Sequence, residues 1–151
     1  MKARHECIRR VLEARNSEEL LAGYSEWACQ YDDDLCELGY VAPMHTAQTL
    51  MHQVADKDAS ILDAGCGTGL VGELLATAGY SNIDALDYSR DMLEQARAKK
   101  VYDSHLCADM NKTLAIDDDT YDAIVCVGTF TFGHVYPDAL DELVRITKPG
   151  G

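Results

Sequence analysis

The chain has 151 residues, enough for one domain with a sizeable core, and 47% of them are apolar, which excludes a disordered chain. Acidic residues outnumber basic ones by 26 to 13, giving a formal net charge of −13. This charge disfavours nucleic acids and anionic membranes as partners, so we expect neither to bind.

The cysteines and the first residues indicate the compartment. None of the six cysteines forms a C-x-x-C pair, so the sequence predicts no metal site and no redox motif. The opening stretch MKARHECIRRVLEAR is charged throughout and lacks the apolar core of a signal peptide. No apolar run is long enough to span a bilayer. We expect a soluble, cytoplasmic protein with reduced cysteines.

Residues 1–56 show only helical patterns, and we expect them to form an N-terminal helical cap or lid. Asn16 with Glu19 three residues later is typical of a helix N-cap. Apolar residues then recur at helical spacing, and the acidic run at residues 32–34 and Gly39 are expected to break this pattern. Pro43 is expected to begin the next one.

Residues 57–151 alternate between strand and helix and form the second predicted unit, a ligand-binding core. Strands are predicted at residues 61–64, 83–87, 101–108 and 123–127, with helices between them and a last helix at residues 137–147. This alternation predicts an α/β fold with a doubly wound, Rossmann-like sheet of parallel strands. Ligands of such sheets bind beyond the carboxyl ends of the strands.

The stretch ILDAGCGTGLVG, residues 61–72, runs from a strand through a glycine loop into a helix and allows two interpretations. Its segment GTGLVG matches the G-x-G-x-x-G fingerprint of dinucleotide binding, and Asp87 follows at the distance expected for an acid that holds a ribose. The loop nevertheless begins at Gly65, directly after the strand, and the carboxylate of Asp63 would oppose a pyrophosphate. A cationic ligand without phosphate fits better, because the carboxylate of Asp63 would either pair with its positive charge or accept hydrogen bonds from the loop amides.

Three further motifs follow in chain order: LDYSRDML after the second predicted strand, CADM after the third, and TKPGG at the end. Together with DAGCGTG they resemble the class I (Rossmann-like) methyltransferases, whose cofactor is S-adenosylmethionine. The segments YSEWACQYDDDL and GYVAP are most similar to the Williams–Beuren-region methyltransferase-like proteins. The resemblance extends from about Tyr24 onward and implies an S-adenosylmethionine-dependent methyltransferase.

The resemblance also implies roles for individual residues. The implied cofactor-binding residues are Asp63, Gly65, Cys66 and Gly67 at the methionine part, Asp87 at the ribose, Tyr88, Met92, Asp109 and Met110 at the adenine, Val127 and Gly128 on the floor of the site, and Tyr31 with Trp27 in the lid. No motif identifies a catalytic base, for which the candidates are His134 and Tyr31.

Purely structural interpretations compete with several of these roles. Trp27 and Tyr31 lie on a helical stripe, so plain packing explains them as well as a lid does. Met92 suits a core position that also touches the ligand, and Asp109 suits a turn. A lone loop histidine such as His134 is more often structural than catalytic.

The acceptor is expected to be a small molecule or a protein side chain. The sulfonium already activates the methyl group, so positioning is the main task and a base is needed only where the acceptor must lose a proton. No N-P-P-Y-like motif follows the fourth predicted strand, which disfavours a nucleic-acid base as the acceptor.

The resembled family continues beyond residue 151 into three more strands, so we expect a truncated form of that sheet, with strand order 3-2-1-4. Its fourth strand, AIVCV, would be an apolar edge available for self-association. Two alternatives stay open: a catalytically inactive cofactor-binding module and an NAD-dependent oxidoreductase.

Overall fold

The structure is a computed structural model that describes residues 2–131 and 134–151, with side chains from residue 6 onward. Helices precede a sheet whose strands alternate with further helices. In chain order the elements are α1 (Lys2–Glu13), α2 (Ser17–Trp27), a 3-10 turn (Ala28–Gln30), α3 (Tyr31–Glu37), α4 (Ala42–Gln53), β1 (Ile61–Ala64), α5 (Leu70–Thr77), β2 (Ile83–Asp87), α6 (Arg90–Ala98), β3 (Ser104–Cys107), β4 (Ala123–Val125) and α7 (Ala139–Ile146).

Local capping signals set the bounds of the N-terminal helices. The backbone N–H of Glu19 donates to Asn16 Oδ1 at 2.9 Å, which confirms the predicted cap of α2, and Pro43 lies in the first turn of α4 as predicted. The predicted break at Gly39 is confirmed, since α3 ends at Glu37 and Gly39 follows with a φ of +68°. The predicted break at residues 32–34 is wrong, because these three acids form the first turn of α3. Negative charge is favoured there by the helix dipole, and the interruption falls instead at the preceding 3-10 turn.

The four described strands form one parallel sheet in the order β3-β2-β1-β4, which confirms the predicted α/β class and strand order. β1 and β2 have the predicted bounds, whereas β3 and β4 are shorter than predicted. β4 lies at the edge, and the isolated bridge between Tyr121 and Thr147 lies just before it. Self-association through this edge stays a prediction.

Helices cover both faces of the sheet, with apolar side chains between. One core joins alternate strand residues such as Ile61 and Ile83 to α4, α5 and α6, and the other joins Leu62 and Leu86 to α7. α1 and α2 pack around a separate cluster centred on Trp27. Within the described residues, no helix is long and apolar enough to cross a membrane.

Tyr102, between α6 and β3, fills the space beneath the start of α5. A Cβ atom added at Gly72 would lie 2.2 Å from this phenol ring, and one added at Gly69 would lie 2.9 Å from it. The two glycines that complete the G-x-G-x-x-G pattern are therefore required by packing against an aromatic ring.

Replacing Gly72 by Ala should destabilise the protein by about 1–3 kcal/mol, although alanine favours helices over glycine, because the new methyl group overlaps Tyr102. Urea denaturation measures this change. Thr77→Ala, at an exposed position of the same helix, is the control and should stay within about 0.5 kcal/mol of the wild type. A Gly72→Ala variant as stable as the wild type would contradict the packing role.

Candidate functional site

A cleft that is partly open to solvent lies beyond the carboxyl ends of the four described strands. The N-terminal helices form its opposite wall. The described lining residues are Ser17, Leu20, Leu21, Tyr24, Tyr31, Gly65, Gly67, Asp87, Tyr88, Ser89, Met92, Asp109, Met110, Asn111, Val127, Gly128, Thr129, His134 and Val135.

The backbone amides of the glycine loop are largely engaged within the protein. The N–H groups of Gly65 and Cys66 donate to the carbonyl oxygen of Leu86 at 2.7 and 3.0 Å, and that of Gly69 donates to the carbonyl oxygen of Cys66 at 2.9 Å. A pyrophosphate held by such a loop needs amides that point at it. The geometry therefore disfavours the dinucleotide interpretation.

Asp87, the last residue of β2, is the charged group held most firmly at the cleft. Its Oδ2 accepts the N–H of Gly67 at 2.9 Å, and its Oδ1 accepts the N–H of Ser89 at 2.8 Å. Burial raises the pKa of Asp87, while these N–H donors act to lower it. Each oxygen keeps acceptor capacity, so the fixed carboxylate is able to receive hydroxyl groups of a ligand.

Two glycines line the cleft at positive φ for different reasons. A Cβ atom at Gly65, whose φ is +71°, would lie 2.2 Å from the hydroxyl oxygen of Thr129, so this glycine lets the loops after β1 and β4 meet. A Cβ atom at Gly67, whose φ is +55°, would meet no protein atom within 4 Å. Gly67 thus leaves space along the cleft wall where a ligand can approach the backbone.

Most of the predicted site residues lie together on the cleft wall. They are Tyr31, Gly65, Gly67, Asp87, Tyr88, Met92, Asp109, Met110, Val127, Gly128 and His134. Asp109 also fits its alternative interpretation, because its Oδ1 accepts the N–H of Asn111 at 3.0 Å in a local turn.

Asp63 does not line the cleft, which corrects the argument that its charge faces the ligand. The side chain is 1% exposed and lies beneath the loop, where the hydroxyl of Tyr102 donates to Oδ2 at 2.7 Å. The alternation of side chains along β1 is the reason, because Asp63 shares the face of Ile61 that packs under α5. Burial raises the pKa of Asp63 to about 6, opposed by hydrogen bonds from Tyr102 and the Gly72 backbone.

Trp27 and Cys66 are likewise absent from the lining. Trp27 is buried, donates from Nε1 to Asp34 Oδ2 at 2.9 Å and packs edge-on against Tyr31 with ring centroids 4.6 Å apart. It therefore packs behind the ring of Tyr31. Cys66 belongs to the core beneath α5, and burial raises the pKa of its thiol.

The two catalytic candidates have different surroundings. Burial raises the pKa of Tyr31, so its phenol stays neutral and is suited to donate a hydrogen bond rather than to act as a base. His134 Nε2 lies 3.0 Å from the hydroxyl of Tyr24, and its Nδ1 lies 2.9 Å from the hydroxyl of Thr131. His134 therefore joins the loop after β4 to the N-terminal wall.

The sequence argument missed several lining residues, chiefly Tyr24 and Asn111. Tyr24 opens the motif YSEWACQYDDDL, and burial followed by the charge of Asp87 raises its pKa to about 12. Asn111 joins the loops after β3 and β4, since its side-chain amide donates to the carbonyl oxygen of His134 and its oxygen accepts from the N–H of Tyr136. The position of Asn111 directly after CADM was the available signal.

The raised pKa of Asp63 predicts a distinctive pH dependence of stability. The folded protein holds this proton more tightly than the unfolded chain, so this group lowers the free energy of unfolding as pH rises from about 4 to about 6. Asp63→Asn removes that effect, and its stability relative to the wild type should rise across the window by on the order of 2–3 kcal/mol.

Chemical denaturation at several pH values measures this difference. The control is Asp117→Asn, in an exposed loop, whose profile should run parallel to that of the wild type. A parallel profile for Asp63→Asn as well would show that the buried carboxyl group titrates normally.

Comparison with known proteins agrees with this geometry. Residues 61–151 match the family described as Methyltransferase domain. Methyltransferase-like protein 27 of Homo sapiens is 38% identical over 131 residues, covering 85% of this chain and 53% of that protein. Malonyl-[acyl-carrier protein] O-methyltransferase of Salmonella typhimurium is 31% identical over 137 residues, covering 90% and 52%. The chain spans about half the length of these curated relatives.

Solved structures share the fold. A Methanococcus maripaludis protein described as an S-adenosyl-L-methionine-dependent methyltransferase aligns with a TM-score of 0.69 at 25% identity, over 84% of this chain and 60% of that one. A chain from the complex of the Haloferax volcanii Trm112 methyltransferase activator with a methyltransferase aligns with a TM-score of 0.66 at 27% identity, over 92% and 59%. Since the family match covers the glycine loop and all four described strands, this chain belongs to the class I, Rossmann-like methyltransferases, whose cofactor is S-adenosylmethionine.

Proposed function

We propose that this chain binds S-adenosylmethionine in the cleft and transfers its methyl group to a small-molecule or protein acceptor. The observation that carries the proposal is the fixed carboxylate of Asp87, held between the N–H groups of Gly67 and Ser89 at the cleft wall. A carboxylate in this position suits the two hydroxyl groups of a ribose. The family match and the relatives named above support the same activity.

Different residues on the cleft wall would contact different parts of S-adenosylmethionine. Asp87 would hold the ribose, and Gly67 would leave room for the methionine part. Side chains from the loops after β2 and β3 would enclose the adenine, and residues of the loop after β4 would form the floor beside Tyr31. The adenine residues are Tyr88, Met92, Asp109 and Met110, and the floor residues are Val127 and Gly128. Residues 1–56 then act as the lid on a core of residues 57–151.

Positioning is the main contribution of the protein to the reaction. S-adenosylmethionine, when bound, supplies a methyl group already activated by the adjacent sulfonium. The neutral phenols of Tyr24 and Tyr31 and the apolar side chains beside them limit water at this end of the cleft. Holding donor and acceptor in line is worth as much as ~7–11 kcal/mol of barrier reduction.

The charges on the cleft wall favour a neutral or cationic acceptor. Among the described lining residues, Asp87 and Asp109 are acidic and none is Lys or Arg. A malonyl group, which the name of the Salmonella relative specifies, carries a carboxylate that a cationic side chain would pair with. For an acceptor that loses a proton, His134 is the candidate base, and its Nε2 would first have to leave the hydroxyl of Tyr24 while Thr131 holds Nδ1.

Two cofactor assays separate this proposal from its alternatives. Isothermal titration of the chain with S-adenosylhomocysteine and with NAD should show binding of the first alone, because the amides of the glycine loop are already engaged. A screen with radiolabelled S-adenosylmethionine against neutral amines, alcohols and proteins should then show methyl transfer. NAD binding without S-adenosylhomocysteine binding would indicate an oxidoreductase, and cofactor binding without any transfer would indicate an inactive binding module.

Replacing Asp87 by Asn should weaken S-adenosylhomocysteine binding by about 10- to 100-fold, because the ribose loses a charged acceptor while one oxygen remains for the loop. Titration calorimetry measures the affinity. Asp117→Asn removes the same charge from an exposed loop and should leave the affinity unchanged. Equal affinities for both variants would remove Asp87 from the proposed ribose site.

A further inference from the structure

Asp32 connects the N-terminal helices to the glycine loop through its side chain. The hydroxyl of Thr68 donates to its Oδ1, and Lys99 Nζ lies 2.8 Å from its Oδ2. Thr68 stands between Gly67 and Gly69 at the tip of the loop. One carboxylate therefore spans α3, the glycine loop and the end of α6.

The surroundings of this contact distinguish it from an ordinary surface ion pair. Thr68 is 2% exposed, and the side chain of Lys99 is 15% exposed, whereas that of Asp32 is 38% exposed. Lys99 also lies 3.0 Å from Glu73 Oε2 on α5, which fixes the ammonium group from a second side. Partial exclusion of water strengthens such charge-assisted hydrogen bonds relative to fully exposed pairs.

The contact between Asp32 and Thr68 joins residues that are next to the cleft on opposite walls. Tyr31, which precedes Asp32, lines the cleft, while Thr68 follows Gly67, whose backbone borders the same cleft. The hydrogen bond between Asp32 and Thr68 therefore links the two walls of the cleft. Neither Asp32 nor Thr68 lines the cleft itself, so any effect on the ligand acts through their neighbours.

We propose that Asp32 is a positioning residue that holds α3 against the glycine loop and so sets the cleft for the cofactor. The ligand-binding part of this inference rests on the proposed function of the cleft. It predicts that Asp32 and Thr68 act on affinity as one unit, because removal of either partner breaks the same bond.

A double-mutant cycle on the full chain tests this coupling, with S-adenosylhomocysteine as the probe in titration calorimetry. Asp32→Ala and Thr68→Val should each weaken binding by about five- to twentyfold. The affinity of the double variant should be no more than about twofold below that of the single variant that binds less tightly. Asp32→Asn keeps an acceptor for the Thr68 hydroxyl and should recover most of the affinity. Asp33→Ala, at the exposed next position of α3, should bind like the wild type.

Effects that add in the double variant, or an Asp32→Ala variant that binds like Asp33→Ala, would overturn the proposal. Hydrogen exchange of the unliganded chain tests the contact independently of the ligand. Asp32→Ala should speed exchange both in α3 and in residues 65–69, and Asp33→Ala should not. Unchanged exchange at either segment would also overturn it, whereas a wild-type chain that fails to bind S-adenosylhomocysteine would refute the proposed function instead.

Discussion

The packing of Tyr102 beneath the glycine loop is the contact on which the geometry of the site depends. Its ring occupies the space that side chains at Gly69 and Gly72 would need, and its hydroxyl donates to the buried carboxylate of Asp63. Because these glycines carry no side chains, α5 approaches the ring closely and the loop is held in a tight turn. The end of the dinucleotide-like pattern therefore serves internal packing, whereas Gly67 leaves open space on the cleft wall.

The electrostatics of the cleft follow from this arrangement. With Asp63 turned inward, the firmly held negative charge at the cleft belongs to Asp87, whose two oxygens accept N–H groups from the glycine loop and the start of α6. The N–H of Gly67 donates to Asp87 and is therefore not available to a phosphate. The cleft instead offers the carboxylate of Asp87, which accepts hydrogen bonds from hydroxyl groups. A cationic nucleoside is the class of ligand that this arrangement favours.

The N-terminal helices complete the site rather than merely cover it. Tyr24 and Tyr31 supply neutral phenols to the cleft. The contacts that bind their helices to the core include Tyr24 with His134, Asp32 with Thr68, and Asp32 with Lys99. Trp27 stands behind Tyr31 and fixes its ring. This end of the cleft is thus formed by residues that are far apart in the chain, and its shape depends on how the N-terminal helices meet the core.

The sequence by itself determined the bounds of β1 and β2 and the cap at Asn16, because hydrophobic periodicity and helix capping are local properties. The alternation of strands and helices also placed the loops together at the carboxyl ends of a parallel sheet. The sequence also contained the orientation of Asp63, since a side chain two residues after Ile61 lies on the same face of a strand. Only the tertiary structure decided that Tyr102 would receive that carboxylate and that α3 would dock on Thr68. Both contacts join residues more than 30 positions apart, and no local pattern specifies which distant partner will meet a buried polar group.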